Sequence, residues 1–275
     1  EGSYSEKVRR QIGCNDPDLV ELEIGRQGYL PHVDDWERDG KSIGRNTYVK
    51  ALEISNTDRE ITKEDLVKFF LGVAGNRSIK KMKFYYCNLF GGELFSILIP
   101  FFKNNRNFEC LEISCCVLER DGIDLLASVL VEFDSLYEFL FSWCRIENDG
   151  LQELIQALAG HSGLKKLILS CSRVGRNGFA ALATLLQNPN TELAVIDLGR
   201  NRIDDEGAAA LSTCLAGNST LRELNISSNP DITETGWQAI FAALQIPHCR
   251  LETLSLSEKS INDATAHSLS NTLAN

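Results

Sequence analysis

The chain has 275 residues, 43% of them hydrophobic and 24% charged, with a net charge of −10 and a pI near 5.0. That is a globular composition with room for one large domain or two ordinary ones, and its acidity argues against a nucleic-acid binder, which carries a basic stripe. No stretch reaches the ~18 apolar residues a membrane helix needs, and the most apolar run, 94–102, is short and interrupted by Pro100.

Nine cysteines, with no CxxC and no metal-like Cys/His spacing, read as free thiols in a reducing compartment. No signal peptide is visible behind Glu1, so the expected setting is cytoplasmic, with the nucleus as the alternative. Asn76, Asn218 and Asn225 stand in glycosylation sequons, which carry no meaning in that setting.

In chain order, residues 5–12 predict a polar helix and 1–18 a capping region. From Leu19 onward one pattern repeats to residue 275. Repeats begin at Leu19, Val49, Ile79, Phe108, Leu136, Leu164, Leu193, Leu221 and Leu251, with a period near 28 or 29. Each opens on alternating apolar residues, such as Leu193, Ile196 and Leu198, which predicts a short strand with one buried face. A turn follows, then an Asp/Asn-rich step whose oxygens suit a helix start, as in 204–207 and 120–122. Glycines there, such as Gly207, are expected to let the first turn approach a neighbour closely. A helix comes last, marked by apolar pairs four apart such as Leu211 and Leu215.

The first repeat is degenerate, with Pro31 and a weak helix anchored only by Trp36 and Ile43. The eighth has an extra residue at 229–232, which predicts a bulged turn. The last runs to the end with no polar cap, so further repeats are expected in a longer protein.

One strand–turn–helix brick cannot bury its apolar side alone, whereas stacked copies can. Strands pack about 4.8 Å apart and helices need roughly 10 Å, so such a row curves with its strands inside. The predicted fold is an α/β solenoid: a parallel sheet on the concave face, helices on the convex face. Residues 193–221 resemble the ribonuclease-inhibitor-like class of leucine-rich repeats, whose signature is matched at Leu193, Ile196, Leu198, Asn201, Ile203, Asp205, Gly207, Leu211 and Leu215. The resemblance implies protein recognition, as in ribonuclease inhibitors, intracellular immune receptors and ubiquitin-ligase adaptors.

The ninth position of each repeat closes the strand. It holds Asn201 and Asn229, or Cys87, Cys116 and Cys144, with Gln27, Thr57, Ser172 and Lys259 elsewhere. A small polar side chain turned inward there serves backbone groups the turn leaves unpaired.

No catalytic constellation is visible. The 160–163 segment lacks the spacing and context of a nucleophile elbow and reads as a helix-ending turn. No phosphate loop, metal site or cofactor is expected.

Positions three, five, seven and eight of each repeat are expected to face outward from the sheet. They give a central apolar and aromatic patch: Tyr85, Tyr86, Leu140, Trp143 and Ile168, within about 15 Å at ~4.8 Å per strand. Around it stand Lys81, Lys83 and Lys166, the acids Glu53, Glu112, Glu138 and Asp197, and Arg200. Two readings of the patch are open. It is a binding surface of aromatic anchors and polar rim, or its rings fold down and pack on one another.

The expected function is a non-catalytic module that binds another protein through the concave face, with no nucleic acid and no membrane. One alternative is a GTPase activator: activators of a nuclear-transport small GTPase share this repeat class. It would need an exposed arginine, with Arg26, Arg45 and Arg59 as candidates. The other is a spacer within a larger complex or receptor.

Overall fold

The computed structural model describes residues 4–25, 35–57, 61–87, 91–105, 107–131, 135–144, 148–247, 249–256 and 263–273. The chain forms two compact units, Glu1–Glu138 and Phe139–Asn275.

In the first unit the elements alternate as α1 (Tyr4–Gly13), β1 (Glu21–Ile24), α2 (Trp36–Arg45), β2 (Ala51–Ser55), α3 (Lys63–Val73), β3 (Lys81–Tyr85), α4 (Gly92–Asn104), β4 (Cys110–Ser114) and α5 (Arg120–Leu130). The strands run parallel in chain order, each paired to the next without slippage. The register aligns Leu22, Leu52, Met82 and Leu111 in one row, and Ile24, Ile54, Phe84 and Ile113 in another. Both rows are fully buried. The rows between them face away from the helices, because successive strand residues point to opposite faces.

The second unit continues the alternation: β5 (Glu138–Ser142), which starts at the unit boundary, then α6 (Asn148–Leu158), β6 (Lys166–Ile168), α7 (Arg176–Gln187), β7 (Val195–Asp197), α8 (Asp205–Gly217), β8 (Glu223–Asn225), α9 (Glu234–Leu244), β9 (Thr253–Ser255) and α10 (Asp263–Leu273). Its inner row is Leu167, Ile196, Leu224 and Leu254. Each unit is thus a stretch of the α/β leucine-rich-repeat solenoid the periodicity predicts.

Phenylalanine replaces leucine through much of the first core. Phe69 meets Phe70 edge-on at 5.2 Å, and Phe108 meets both Phe101 at 5.9 Å and Phe102 at 5.3 Å. Such pairs add about 0.5–1.5 kcal/mol beyond area burial. Pro100 lies inside α4 without ending it.

Two sets of small polar side chains hold the repeats in register. At the strand end, Asn201 donates to the Leu169, Leu198 and Gly199 carbonyls and accepts from the Ser172 and Val174 amides. Asn229 does the same one repeat on, toward Leu198, Ile226, Ser227 and Ile203. The thiols of Cys87 and Cys116 replace the amide with weaker donation to Ile54 and Phe84. Ser172 donates to Phe141. In the second repeat the role shifts one residue from the expected Thr57: Thr57 is exposed, while Asn56 is buried and binds both backbone groups of Ile61. Asn56 therefore does not face outward. Gln27 and Lys259 lie outside the described residues.

The second set sits at the helix ends, where the sequence shows only Asn-Ser/Thr pairs. Asn76 and Asn218 are buried. Each accepts from the amides two and three residues later and donates to a carbonyl of the preceding repeat, Ile43 and Asn46 or Leu186. Two of the three sequon asparagines, Asn76 and Asn218, are thus structural parts of the folded chain.

Helix starts are capped partly across repeats. Asp204 accepts from the Gly207 amide of its own helix, as expected. Asp205, by contrast, accepts from the Thr233 amide and hydroxyl and the Gly236 amide of the next repeat. Asp121 reaches the other way, to the Gly92 amide of the preceding repeat. The step glycines also divide. A Cβ on Gly236 would sit 2.5 Å from Asp205, a neighbour, whereas one on Gly178 would meet Val174 of its own turn at 2.9 Å.

The tightest backbone contact joins α2 and α3. A Cβ on Gly44 would lie 2.1 Å from the Gly72 carbonyl oxygen, and one on Gly72 would lie 2.3 Å from the Lys41 nitrogen. The first repeat's helix, poor in apolar residues, therefore docks through backbone contact.

Gly44→Ala is expected to cost about 2 kcal/mol or more by overpacking. Gly13→Ala, with nothing within 4 Å of its Cβ, should be neutral or slightly stabilising. Urea denaturation of the two variants checks this, and equal midpoints would refute the close contact.

Burial pulls the Asp205 carboxyl pKa up, but its bonds from Thr233 and Gly236 pull it further down, for a net depression. A depressed carboxyl stabilises above its ordinary value and loses that contribution as pH falls through its folded value. Asp205→Ala should cost about 1 kcal/mol at neutral pH, as cap losses do. Wild type and variant should converge in acid; a pH-independent gap would rule out the charged cap.

Candidate functional site

The outward rows of each sheet carry the candidate residues. Glu53, Lys81, Lys83, Tyr85, Tyr86, Glu112 and Glu138 lie in the first unit, and Leu140, Trp143, Lys166, Ile168, Asp197 and Arg200 in the second. All of them are exposed or half-buried. Not every outward position is open. Cys110, expected to face outward, is 4% exposed; its short side chain stands beside the longer Lys81 and Glu138, which act on its thiol.

In the first unit the register places Glu23, Glu53, Lys83 and Glu112 in one row. Lys83 approaches Glu53 at 3.7 Å. Burial is the main reason the Glu53 carboxyl is raised; Lys83 opposes it, and Glu23 and Glu112 add to it. The Tyr85 phenol is pushed up first by burial and then by its hydrogen bond to Glu112. Ser114 also donates to Glu112, at 3.3 Å. Burial and Glu138 push the Cys110 thiol up to about 12, so it stays protonated. These groups satisfy one another, leaving Tyr86 as the prominent outward ring, 48% exposed. Its hydroxyl meets the Cys115 thiol, whose charge and hydrogen bond raise it.

In the second unit Trp143 is 56% exposed, and the Arg200 guanidinium lies 5.7 Å from its ring centroid. An exposed cation–π pair of this kind contributes about 0.5–1 kcal/mol. Asp197 is occupied by the Gly199 amide at 2.8 Å and the Asn225 side chain at 3.0 Å. The Ser142 and Ser170 hydroxyls pair at 3.2 Å. Trp143 is not wedged inward. Among the described residues no ring–ring contact involves Tyr85, Tyr86 or Trp143, so these rings do not form a self-packed cluster within either unit.

The eighth position has a backbone feature that apolar patterning does not reveal. Tyr86, Cys115, Trp143, Cys171, Arg200 and Ser228 all hold φ of 56–57°, in the left-handed region. Residues other than glycine and asparagine adopt it at a cost on the order of 1 kcal/mol. The chain accepts that cost repeatedly, with bulky side chains. Two residues beyond the expected set join this rim, Arg173 (φ 56°) and Arg202, both exposed. Their signal in the sequence is an arginine directly after the ninth position in three successive repeats, Arg145, Arg173 and Arg202, of which Arg145 lies outside the described residues.

Among the described residues no group of three or more His, Cys, Asp and Glu side chains could hold a metal ion, and no helix is long and apolar enough to cross a membrane. His161 is buried in the turn after α6, its amide bonded to the Leu158 carbonyl. Of the arginine-finger candidates, Arg45 is exposed in the last turn of α2, and Arg26 and Arg59 lie outside the described residues.

In-register parallel strands, strand–turn–helix bricks and buried strand-end Asn or Cys together define a leucine-rich-repeat fold like that of the ribonuclease-inhibitor-like class. The family model described as Leucine Rich repeat matches residues 190–212 and 217–241. The chain is similar to the ribonuclease inhibitor of Mus musculus, 32% identical over 88 residues, covering 32% of this chain and 19% of that protein. It is similar to the ribonuclease inhibitor of Sus scrofa, 35% identical over 75 residues, covering 27% and 16%. It also resembles NACHT, LRR and PYD domains-containing protein 12 of Mus musculus, 32% identical over 88 residues, 32% of this chain and 8% of that one. The matched stretches thus span less than a fifth of these relatives. Among solved structures, the leucine-rich repeat-containing protein LegL7 of Legionella pneumophila matches at 15% identity and TM-score 0.47, over 86% of this chain and 75% of that one. The tropomodulin C-terminal domain of Caenorhabditis elegans matches at 15% and 0.45, over 55% and 91%.

A raised carboxyl makes ionised Glu53 a net cost above its folded pKa, a cost that vanishes below the ordinary Glu value of about 4.3. Glu53→Gln should therefore melt slightly higher than wild type at neutral pH and match it in acid. Thermal melts across pH check this; a lower neutral melt would mean that pairing with Lys83 outweighs burial.

Proposed function

We propose that this chain is a non-catalytic recognition module that binds a partner protein through the outward face and rim of its sheet. The leucine-rich-repeat fold itself suggests protein–protein interaction. The finer reading rests chiefly on one observation: a tryptophan is held more than half exposed, on a strained backbone, with an arginine over its ring. Interface anchors are enriched in Trp, Tyr and Arg, and backbone strain that persists points toward function. Tyr86 gives the first unit a comparable ring on the same type of backbone.

The polar groups of both faces support binding over chemistry. The carboxylates of the first unit are engaged with Lys83, Tyr85, Ser114 and Cys110, and Asp197 with its own turn. The buried thiols act as donors to carbonyls, a role that requires the reduced form and favours a cytoplasmic or nuclear setting. The GTPase-activator alternative keeps one described candidate, Arg45, exposed in the last turn of α2.

The test starts with capture of a partner from native extract on the immobilised chain. Its affinity is then measured for the wild type, Tyr86→Ala and Trp143→Ala. At least one variant should bind about tenfold or more weakly with an unchanged melting temperature. Undiminished binding by both, with protection mapped to the helices, would favour a spacer or a helix-side contact.

A further inference from the structure

We propose that the strand-end rim of the second unit, built from Trp143, Arg173, Arg200 and Arg202, docks an acidic peptide segment of a partner protein. The inference rests on reading that rim as a contact surface and adds the chemistry of the partner.

Four observations carry it. First, a chain of net charge −10 places three exposed arginines on the turns of two neighbouring repeats. Arg173 and Arg202 follow the strand-closing Ser172 and Asn201, and the Arg202 amide donates to the Val174 carbonyl, which ties the two turns together. Arg200 stands two residues before Arg202. Like charges in adjacent slots repel, a cost to the free protein that a bound anion removes.

Second, the nearby acids are committed elsewhere. Asp197 binds Gly199 and Asn225, Asp204 caps α8, and Asp205 reaches into the start of α9. None of the three arginines forms an ion pair within the described residues. Third, Trp143, Arg173 and Arg200 all hold left-handed φ values, which project their side chains from the rim at a backbone cost. Fourth, the Trp143 ring flanks the Arg200 guanidinium at 5.7 Å. A guanidinium packed against a ring keeps its N–H edge free, and that edge matches a carboxylate two bonds at a time. Half-buried Leu140 and Ile168 add apolar surface on the same sheet face.

Nucleic acid also pairs arginine with aromatic stacking, but it is the poorer fit. A phosphodiester strand carries charge continuously and needs a basic track to release its counterions. Here Asp197 and Asp204 interrupt the arginines, so the rim offers a short local cluster and no continuous basic track. Carboxylates spaced along a peptide need only such a local cluster, each fitting one guanidinium fork.

The test is fluorescence anisotropy with a short labelled peptide of Glu and Asp carrying interspersed leucines. A matched Lys-for-Glu/Asp peptide and a short polyuridylate serve as the other probes. The acidic peptide should bind, weaken with salt, and bind about tenfold or more weakly to Arg200→Glu and to Arg173→Ala/Arg202→Ala. The double variant should melt no lower than wild type, because it removes repulsion, which separates lost binding from lost folding. Arg200→Lys should also bind more weakly, since it keeps the charge and loses the fork.

No binding of the acidic peptide to wild type, equal binding by all variants, or displacement of the peptide by polyuridylate would each overturn the proposal. The inference and the reading beneath it fail separately. If Trp143→Ala loses a captured partner that the acidic peptide does not compete away, the contact surface stands and the acidic ligand falls. If Trp143→Ala keeps that partner and the peptide does not bind, both fall.

Discussion

Where each strand bends toward its helix, backbone carbonyls point inward with no strand left to receive them. A buried polar group without a partner costs on the order of 1–3 kcal/mol, and a repeat protein meets that cost at every repeat. Among the described strand ends, small side chains such as Asn201, Asn229, Ser172, Cys87 and Cys116 meet it. Asn201 serves carbonyls of its own repeat and the one before it, and takes amides in return. The bond network sets the spacing of the bricks, and the hydrophobic rows fill in behind it. Leucine, phenylalanine or methionine can stand in the inner rows because those rows demand only volume. The strand-end slot admits Asn, Ser or Cys because it demands a small donor.

That difference explains what could be read in advance. Leu193, Ile196 and Leu198 announce their strand by alternation, and Leu211 and Leu215 announce a helix by spacing, because burial leaves a periodic mark. Asn76 and Asn218 leave none: their work is done by hydrogen bonds to residues about thirty positions away, and in the sequence they resemble sequons. Asn56 shows a similar limit. Alignment assigned the strand-end role to Thr57, but the turn at Ile61 selects the residue whose side chain can both donate and accept.

The outward face was legible as a list of positions and not as chemistry. Alternation named Trp143 and Arg200 as outward, but nothing in the letters places a guanidinium over the ring. The left-handed backbone at position eight was hidden because that conformation ordinarily calls for Gly or Asn, and here it holds Tyr, Trp, Arg, Cys and Ser. Arg173 and Arg202 went unseen because they fall just past the strand, where the alternation rule stops. Cys110 shows the reverse: outward by count, yet covered by longer neighbours.

The cross-repeat caps give the two units opposite polarity. Asp121 stabilises the helix before its own, and Asp205 the helix after. Loosening the repeat that owns Asp205 uncaps α9, while loosening α9 leaves the Asp204 cap of α8 in place. Fraying there travels more readily toward the C-terminus than back, and around Asp121 it travels the other way. Each unit therefore has its own mechanical grain: the repeat that supplies the cap outlasts the neighbour that borrows it, toward the N-terminus in the first unit and toward the C-terminus in the second.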